Sequence, residues 1–233
     1  MDGETDLAKP ADASAGLTPF LCFCTFVSVI GSSFLYGYNV GDLNTPATVI
    51  NETFYMKVYT ERALNGDNST DGAVVEGVGS TTVALWQLTV ALFVAGGAVG
   101  SLGSGWICET LGRRNGNAVN QIPAILCGVL SWAAKYAGAP ELLMAGRFLA
   151  GLSAGAGCTY VPVYLTEIAP TKYRGALGTM HQLALTIGIL VAQILSLPAI
   201  WGNEQNWPIL VGFVLVPALA SLIMIPFCVE SPR

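Results

Sequence analysis

Charged side chains are scarce in this sequence. Only 11% of its 233 residues are Asp, Glu, Lys or Arg, against about 25% in ordinary soluble domains. Hydrophobic residues make up 53% of the chain, and the mean hydropathy is +0.58. This composition excludes an ordinary soluble domain and is typical of an integral membrane protein.

Groups for catalysis or metal binding are equally sparse. The sequence has one histidine and no glycine-rich phosphate loop. Its cysteines lie apart in apolar segments, without the spacing of a zinc site or a disulfide framework: Cys22, Cys24, Cys108, Cys127, Cys158 and Cys228. The formal net charge of −5 offers no basic surface to a nucleic acid. The sequence therefore predicts neither an enzyme nor a metal, cofactor or nucleic-acid partner.

Six apolar stretches are long enough for the roughly 20 residues that a membrane-spanning helix needs. They are residues 17–39, 83–107, 116–136, 142–165, 175–197 and 207–228. The connections after the second, fourth and sixth stretches carry most of the nearby Lys and Arg, which predicts that these connections are cytoplasmic. Both termini are then cytoplasmic, residues 1–16 form a polar tail, and residues 17–233 form a six-helix bundle in the plasma membrane. Glycines along the second and fourth stretches predict close helix packing there.

The connection after the first stretch, residues 41–82, is long and hydrophilic and is predicted to be an extracellular loop. It contains two acceptor sequons for N-glycosylation, Asn51-Glu52-Thr53 and Asn68-Ser69-Thr70. Sequons often arise by chance, but both of these lie on the side assigned independently as outside. At least one of Asn51 and Asn68 is therefore predicted to carry a glycan.

Charges of both signs gather at the three predicted cytoplasmic connections. These residues are Glu109, Arg113, Arg114, Glu167, Arg174, Glu230 and Arg233. Acids and bases at alternate connections predict an inner gate, a network of ion pairs that closes the cytoplasmic ends in one state and releases them in another. The alternative is that the cations act only as topology signals.

Several motifs together resemble one family. They are Gly112-Arg113-Arg114, Gly146-Arg147-Phe148, Glu167 followed by Pro170 and Arg174-Gly175, His181-Gln182-Leu183, and Glu230-Ser231-Pro232-Arg233. These motifs resemble the sugar porters of the major facilitator superfamily, and Tyr36-Gly37-Tyr38-Asn39-Val40-Gly41 narrows the resemblance to the animal facilitative glucose transporters. The resemblance implies an all-α membrane fold of twelve spans, in two halves that rock around a midplane sugar site. This chain would supply the N-terminal six transmembrane helices, built as two three-helix repeats.

The resemblance assigns the sugar site to the fifth stretch. Gln182 matches a glutamine that hydrogen-bonds sugar hydroxyls, and Leu185 and Ile189, on the same helix face, match apolar contacts to the sugar ring. An amide both donates and accepts, so one glutamine can serve two neighbouring hydroxyls without needing a counter-ion. His181 points about 100° around the helix from Gln182. We interpret it mainly as a packing residue, with direct sugar contact as the lesser alternative.

The resemblance also identifies a position that decides proton coupling. Proton-driven sugar symporters that resemble this chain have Asp where Asn39 stands, paired with an arginine that matches Arg147. An amide does not titrate, so Asn39 favours passive uniport. Asp42, one turn further toward the outside, stands where the family has an apolar residue, and it either titrates or is solvated. Its place near a span end favours the solvated interpretation.

The resemblance thus implies facilitated uniport of a hexose, specifically D-glucose, and it favours Asn51 as the glycan site. Two alternatives stay open. Because rocking needs two halves, the first is a truncated, transport-inactive half that binds or regulates a partner. The second is a proton-coupled sugar symporter. The predicted partners are the hexose, the lipid bilayer, and the missing C-terminal half or a second half-transporter.

Overall fold

The computed structural model describes residues 18–66, 72–228 and Glu230, and its regular structure over those residues is helical, with no strand. The helices are α1 (Pro19–Gly41), α2 (47–66), α3 (Gly72–Leu111), α4 (Arg113–Ala137), α5 (Pro140–Ile168), α6 (Arg174–Leu195) and α7 (Trp207–Phe227). Helices α1 and α2 contain π-helical turns at Val29–Phe34 and Ile50–Tyr55, and α7 is interrupted at residues 213–214. The predicted tail, residues 1–16, lies outside the described residues.

The six predicted spans correspond to α1 and α3 through α7. Within the described ranges, five of these helices are long and apolar enough to cross a membrane, and α4 falls short. Helix α4 has 25 residues, about 37 Å at 1.5 Å per residue, so its length suffices. Its polar residues Asn117, Asn120 and Gln121 are all buried. The lower hydropathy of α4 therefore comes from side chains that face the inside of the bundle.

Glycines set the distance between α3 and α5. A Cβ atom on Gly96 would lie 2.2 Å from the Phe148 carbonyl oxygen, and one on Gly155 would lie 2.0 Å from the Gly97 carbonyl oxygen. No side chain fits at such distances, so the two backbones are in direct contact. Because lipid provides no hydrophobic drive for helix association, close contact of this kind holds the pair together. The close packing predicted from the glycine pattern is confirmed.

Buried side-chain hydrogen bonds connect α1, α4 and α5. Ser32 Oγ lies 3.2 Å from Asn117 Oδ1 and 2.8 Å from Tyr160 Oη. Asn120 donates to the carbonyl and hydroxyl oxygens of Ser153, each at 3.1 Å. Unpaired polar groups are costly in hydrocarbon, so these bonds fix the rotation of each helix about its own axis. Sequence analysis did not predict this network.

The predicted outer loop, residues 41–82, is helical over most of its described length and lies against the bundle. Tyr55 of α2 places its hydroxyl 2.8 Å from Thr89 Oγ1 of α3. Arg62, further along α2, pairs with Glu141 in the first turn of α5. The segment connects two predicted spans, but it is not an open loop. It folds back and covers the end of the bundle at which it lies.

The two sequons fall at different places in this segment. Asn51 lies on the π-helical turn of α2, and its amide oxygen is buried without a hydrogen-bond partner among the described residues. Asn68 lies outside the residues that the structure describes. Glycosylation of either residue stays a prediction.

Candidate functional site

Helix α6 is divided lengthwise into three faces, at about 100° per residue. The buried face spans about 80° and contains Leu177, His181, Ala184, Gly188 and Ala192. An exposed apolar face spans about 60° and contains Leu183, Ile187, Leu190 and Ile194. Between these two lies a polar face, also about 60° wide, which contains Gln182, Thr186, Ile189 and Gln193.

This division indicates two different surroundings for the exposed side of α6. The apolar face is suited to lipid. Amides and hydroxyls are costly to expose to hydrocarbon, so the polar face is suited to a watery cavity or to another protein surface. One exposed side of the bundle is therefore polar along much of the length of α6.

The predicted sugar contacts come together on this polar face. Gln182 is exposed, Ile189 is half-buried, and half-buried Leu185 lies at the border with the buried face. The Gln182 side-chain amide has no hydrogen-bond partner among the described residues, so its donors and acceptor are free for a ligand. Thr186, one turn from Gln182, lies on the same face and was not predicted, although its place four residues after Gln182 was a usable signal.

His181 has a structural partner instead. It is 8% exposed, and its Nδ1 atom lies 2.7 Å from Ser33 Oγ in the π-helical turn of α1. A Cβ atom on Gly37 of α1 would lie 1.9 Å from the Leu185 carbonyl oxygen, so the backbones of α1 and α6 also touch. These contacts correspond to the packing interpretation of His181, and they fix the direction of the polar face.

Two ion pairs of the predicted inner gate lie at one end of the bundle. Arg113 Nη2 is 3.3 Å from Glu167 Oε1, which joins the start of α4 to the end of α5. The backbone N–H of Arg114 donates to Glu230 Oε1 at 3.0 Å, and its guanidinium lies 3.7 Å from the other carboxylate oxygen. Gly112 has φ 84°, and a Cβ atom there would lie 2.8 Å from Glu230 Oε1. The glycine turn is thus needed for this pair.

The remaining gate residues are placed differently. Arg174 donates to the Thr166 carbonyl oxygen at 3.1 Å, and Glu109 is exposed. Arg233 lies outside the described residues. Opening and closing of the cluster stays a prediction.

Asp42 is not solvated, so the favoured interpretation from sequence was wrong. The Asp42 side chain is 0% exposed and the Arg147 side chain is 4% exposed, and Arg147 Nη1 lies 3.1 Å from Asp42 Oδ1. Arg147 Nη2 also donates to the Asn39 carbonyl oxygen at 2.9 Å. The guanidinium carbon lies 4.6 Å from the Phe93 ring centroid of α3. The chain therefore contains a buried ion pair between α1 and α5.

Helix α2 explains why this carboxylate has no access to water. Leu43, the next residue, packs in one buried cluster with Ile50 and Phe54 of α2 and Leu143 of α5. Sequence analysis treated residues after the first span as open to solvent, but α2 folds back over them. Ser33, which contacts His181, and Phe93, which contacts Arg147, were not predicted either. Each of them contacts a residue that is distant in the sequence.

The buried ion pair is incompletely satisfied. Asp42 Oδ2, Arg147 Nε and Asn39 Oδ1 are buried and have no hydrogen-bond partner among the described residues. The Asn39 amide group itself donates to the Leu35 carbonyl oxygen at 2.9 Å. The Asn39 side chain, which was predicted to decide proton coupling, thus bonds within its own helix. Asp42 pairs with Arg147 instead.

The fold is an all-helical bundle, with a lengthwise polar face on one exposed side and ion pairs at one end. Solved structures share this fold. The xylose transporter of E. coli, in a partially occluded inward-open conformation, matches with a TM-score of 0.75 and 22% identity, over 93% of this chain and 50% of that chain. The predicted fold class, the N-terminal half of a major facilitator superfamily fold, is confirmed.

Sequence comparison then identifies the family. The model described as Sugar (and other) transporter matches residues 24–233. The facilitated glucose transporter member 5 of solute carrier family 2 from Rattus norvegicus is 42% identical over 217 residues, 93% of this chain and 41% of that protein. Member 4 from Homo sapiens is also 42% identical over 217 residues. The chain belongs to the sugar transporter family and is an integral membrane protein.

The match has two further consequences. The curated relatives are named as transporters, which confirms the prediction that the chain is not an enzyme. The chain spans about two-fifths of their length, 41% in each case. What a complete transporter does is therefore argued below as a proposal.

Proposed function

We propose that this chain forms the N-terminal half of a transporter that carries a hexose, specifically D-glucose, across the plasma membrane by alternating access. Both termini of the half would lie in the cytoplasm. The single observation that carries the proposal is the polar face of α6, which presents the free amide of Gln182 and, two turns further along, the side chain of Ile189. A sugar needs both kinds of contact, hydrogen bonds for its hydroxyls and apolar surface for its ring.

A second half is required because the polar face is open. Residues of α6 cover only one side of a bound sugar, and a ligand site normally buries most of its ligand. The C-terminal six helices, or a second half-transporter, would supply the other side. We therefore propose that the chain alone binds hexose weakly and does not transport it.

The test compares the chain alone with a joined transporter, made by fusing the chain to the C-terminal half of a curated relative. In transporter-deficient cells, the joined transporter should give saturable D-glucose uptake and the chain alone should not. Gln182→Leu should raise the apparent Kd about 2- to 12-fold, because an amide hydrogen bond contributes about 0.5–1.5 kcal/mol. The matched control is Leu183→Ile on the apolar face, which should leave the Kd unchanged.

Three results would contradict parts of this proposal. Saturable uptake by the chain alone would show that one half suffices. An unchanged Kd for Gln182→Leu would remove this residue from the site. Competition by D-fructose that is stronger than competition by D-glucose would change the proposed substrate, but not the transporter class.

Uniport is the proposed transport mode, because Asn39 has no titratable group. A specific observation favours proton-coupled symport as a second candidate: the Asp42–Arg147 pair is buried and leaves one carboxylate oxygen unpaired. A proton that binds this oxygen would neutralise the charge that holds Arg147. The neighbouring titratable groups are the Tyr38 hydroxyl, which donates to a carbonyl oxygen of α7 at 2.8 Å, and the buried Cys127 thiol of α4.

A proton gradient distinguishes the two modes. In proteoliposomes that contain the joined transporter, an inward proton gradient should leave D-glucose at equal concentrations on both sides if the mode is uniport. Accumulation above the outside concentration, together with its loss in Asp42→Asn, would establish symport through this carboxylate. Accumulation that persists in Asp42→Asn would refute the assignment of coupling to Asp42.

A further inference from the structure

The polar face of α6 extends beyond the predicted sugar contacts. Gln193 lies eleven residues after Gln182, about 16 Å along the helix and only about 20° around it. Its side chain is exposed, and its amide group has no hydrogen-bond partner among the described residues. Two free amides therefore stand on one narrow face, close to the middle and close to the end of the helix.

The predicted hexose contacts end about one helical turn short of Gln193. The predicted contacts Leu185 and Ile189 lie within about 10 Å of Gln182 along the helix. Gln193 is a further turn away, toward the end that the α2 segment covers. A ligand at Gln193 would therefore occupy a separate position along the same path.

The surroundings of Gln193 are built for hydroxyl groups. Ser196 Oγ lies 3.0 Å from Thr45 Oγ1 and 2.9 Å from the Gln193 carbonyl oxygen. Thr45 is exposed, so its hydroxyl lies at the surface, joined through Ser196 to the backbone of Gln193. A Cβ atom on Gly41 would lie 2.9 Å from the Ala192 side chain. This close approach of α1 and α6 fixes the position of both groups.

A solvated amide near a helix end is the simplest alternative. The neighbours of Gln193 argue against it, because Leu190 and Ile194 in the same turn are 55% and 48% exposed on the apolar face. A polar residue that stood at a helix end by chance would be equally expected on the apolar face. Gln193 instead continues the face of Gln182 and Thr186.

We propose that Gln193, with the Thr45 hydroxyl beside it, forms an outer subsite for hexose, which the sugar occupies before it reaches Gln182. The outer subsite rests on the proposed function and adds a second binding position to it. Its ligand is the transported sugar itself, recognised through its hydroxyl groups. In the outward-facing state this subsite would contribute to affinity for sugar presented from outside.

The test uses the joined transporter and a hexose conjugate that cannot cross the membrane, added outside as an inhibitor of uptake. Gln193→Leu should raise the inhibition constant of the conjugate about 2- to 12-fold, the equivalent of one lost amide hydrogen bond. Ile194→Leu, one residue further on the apolar face, should leave it unchanged. An inhibition constant for Gln193→Leu equal to that of the unmodified transporter would overturn the outer subsite.

A second measurement does not depend on how well Gln193→Leu folds. Gln193→Cys, labelled from outside with an impermeant maleimide, should be protected by D-glucose. Protection should persist when Gln182→Leu is added, because the outer subsite fills first. Labelling that D-glucose does not slow would refute the subsite, whereas failure of the conjugate to inhibit the unmodified transporter would refute the proposed function itself.

Discussion

Replacing Asp42 with leucine should destabilise the chain more than the loss of any exposed charge. Asp42 and Arg147 are 0% and 4% exposed, and their charged atoms lie 3.1 Å apart. Without the carboxylate, the buried guanidinium keeps, among the residues that the structure describes, only the Asn39 carbonyl oxygen as a hydrogen-bond partner. Removing one member of a buried pair costs about 3–5 kcal/mol, because the other charge stays out of water without compensation.

This cost is large against the total stability of a folded domain, about 5–15 kcal/mol. For a chain of this size, each kcal/mol lowers the thermal midpoint by about 2–4 °C. The midpoint of Asp42→Leu should therefore fall by about 6–20 °C. Thermal unfolding of the purified chain in detergent, followed by circular dichroism, measures this change directly.

Two further variants make the result interpretable. Glu141→Leu removes one member of the Arg62–Glu141 pair, whose side chains are 46% and 54% exposed, and should cost at most about 1 kcal/mol. The double variant Asp42→Leu/Arg147→Leu should recover most of the loss, because no unpaired charge is left inside. An Asp42→Leu midpoint no lower than that of Glu141→Leu would refute the buried pair and restore a solvated Asp42.

Three smaller predictions concern packing, the gate and the sequons. Gly37→Ala should lower the free energy of unfolding by at least about 1–3 kcal/mol, since its Cβ would lie 1.9 Å from a carbonyl oxygen. Gly103→Ala should lower it by almost nothing, because no atom lies within 4 Å of its Cβ. Equal thermal midpoints for the two variants would contradict this. Arg113→Gln should cost about 0.2–1 kcal/mol in the same assay, because its pair is partly exposed, and a larger loss would mean that the pair is more than a surface contact. Asn51→Gln should abolish a glycosidase-sensitive mobility shift on gels; a shift that survives would move the glycan to Asn68.

Patterns within one helix were readable from the sequence. Once the resemblance had named Gln182 and Ile189, their spacing predicted that they share a helix face, and the structure places both on the polar face of α6. The spacing of the glycines in α3 and α5 likewise predicts the close contact of these two helices. In both cases the signal lies in the spacing of residues along a single helix, and helix geometry converts spacing into a face.

Contacts between segments that are distant in the chain could not be predicted from the sequence. Asp42 looked like a span-end residue open to water, because nothing in its own neighbourhood shows that α2 folds back over it. His181 could not be joined to Ser33, which lies 148 positions earlier. Pairings of this kind depend on which helix faces meet, and one sequence does not contain that information.

The π-helical turn of α1 determines where this helix can lose a residue. A π-helical turn accommodates an extra residue within an otherwise α-helical segment. Deleting one residue from Val29–Phe34 would restore an ordinary α-helix, and the residues after it would keep their faces. The Tyr38 hydroxyl would then still point toward the Leu210 carbonyl oxygen, which it contacts at 2.8 Å. A deletion after the turn, at Tyr36, would instead rotate the residues that follow by about 100° and turn Tyr38 away from α7.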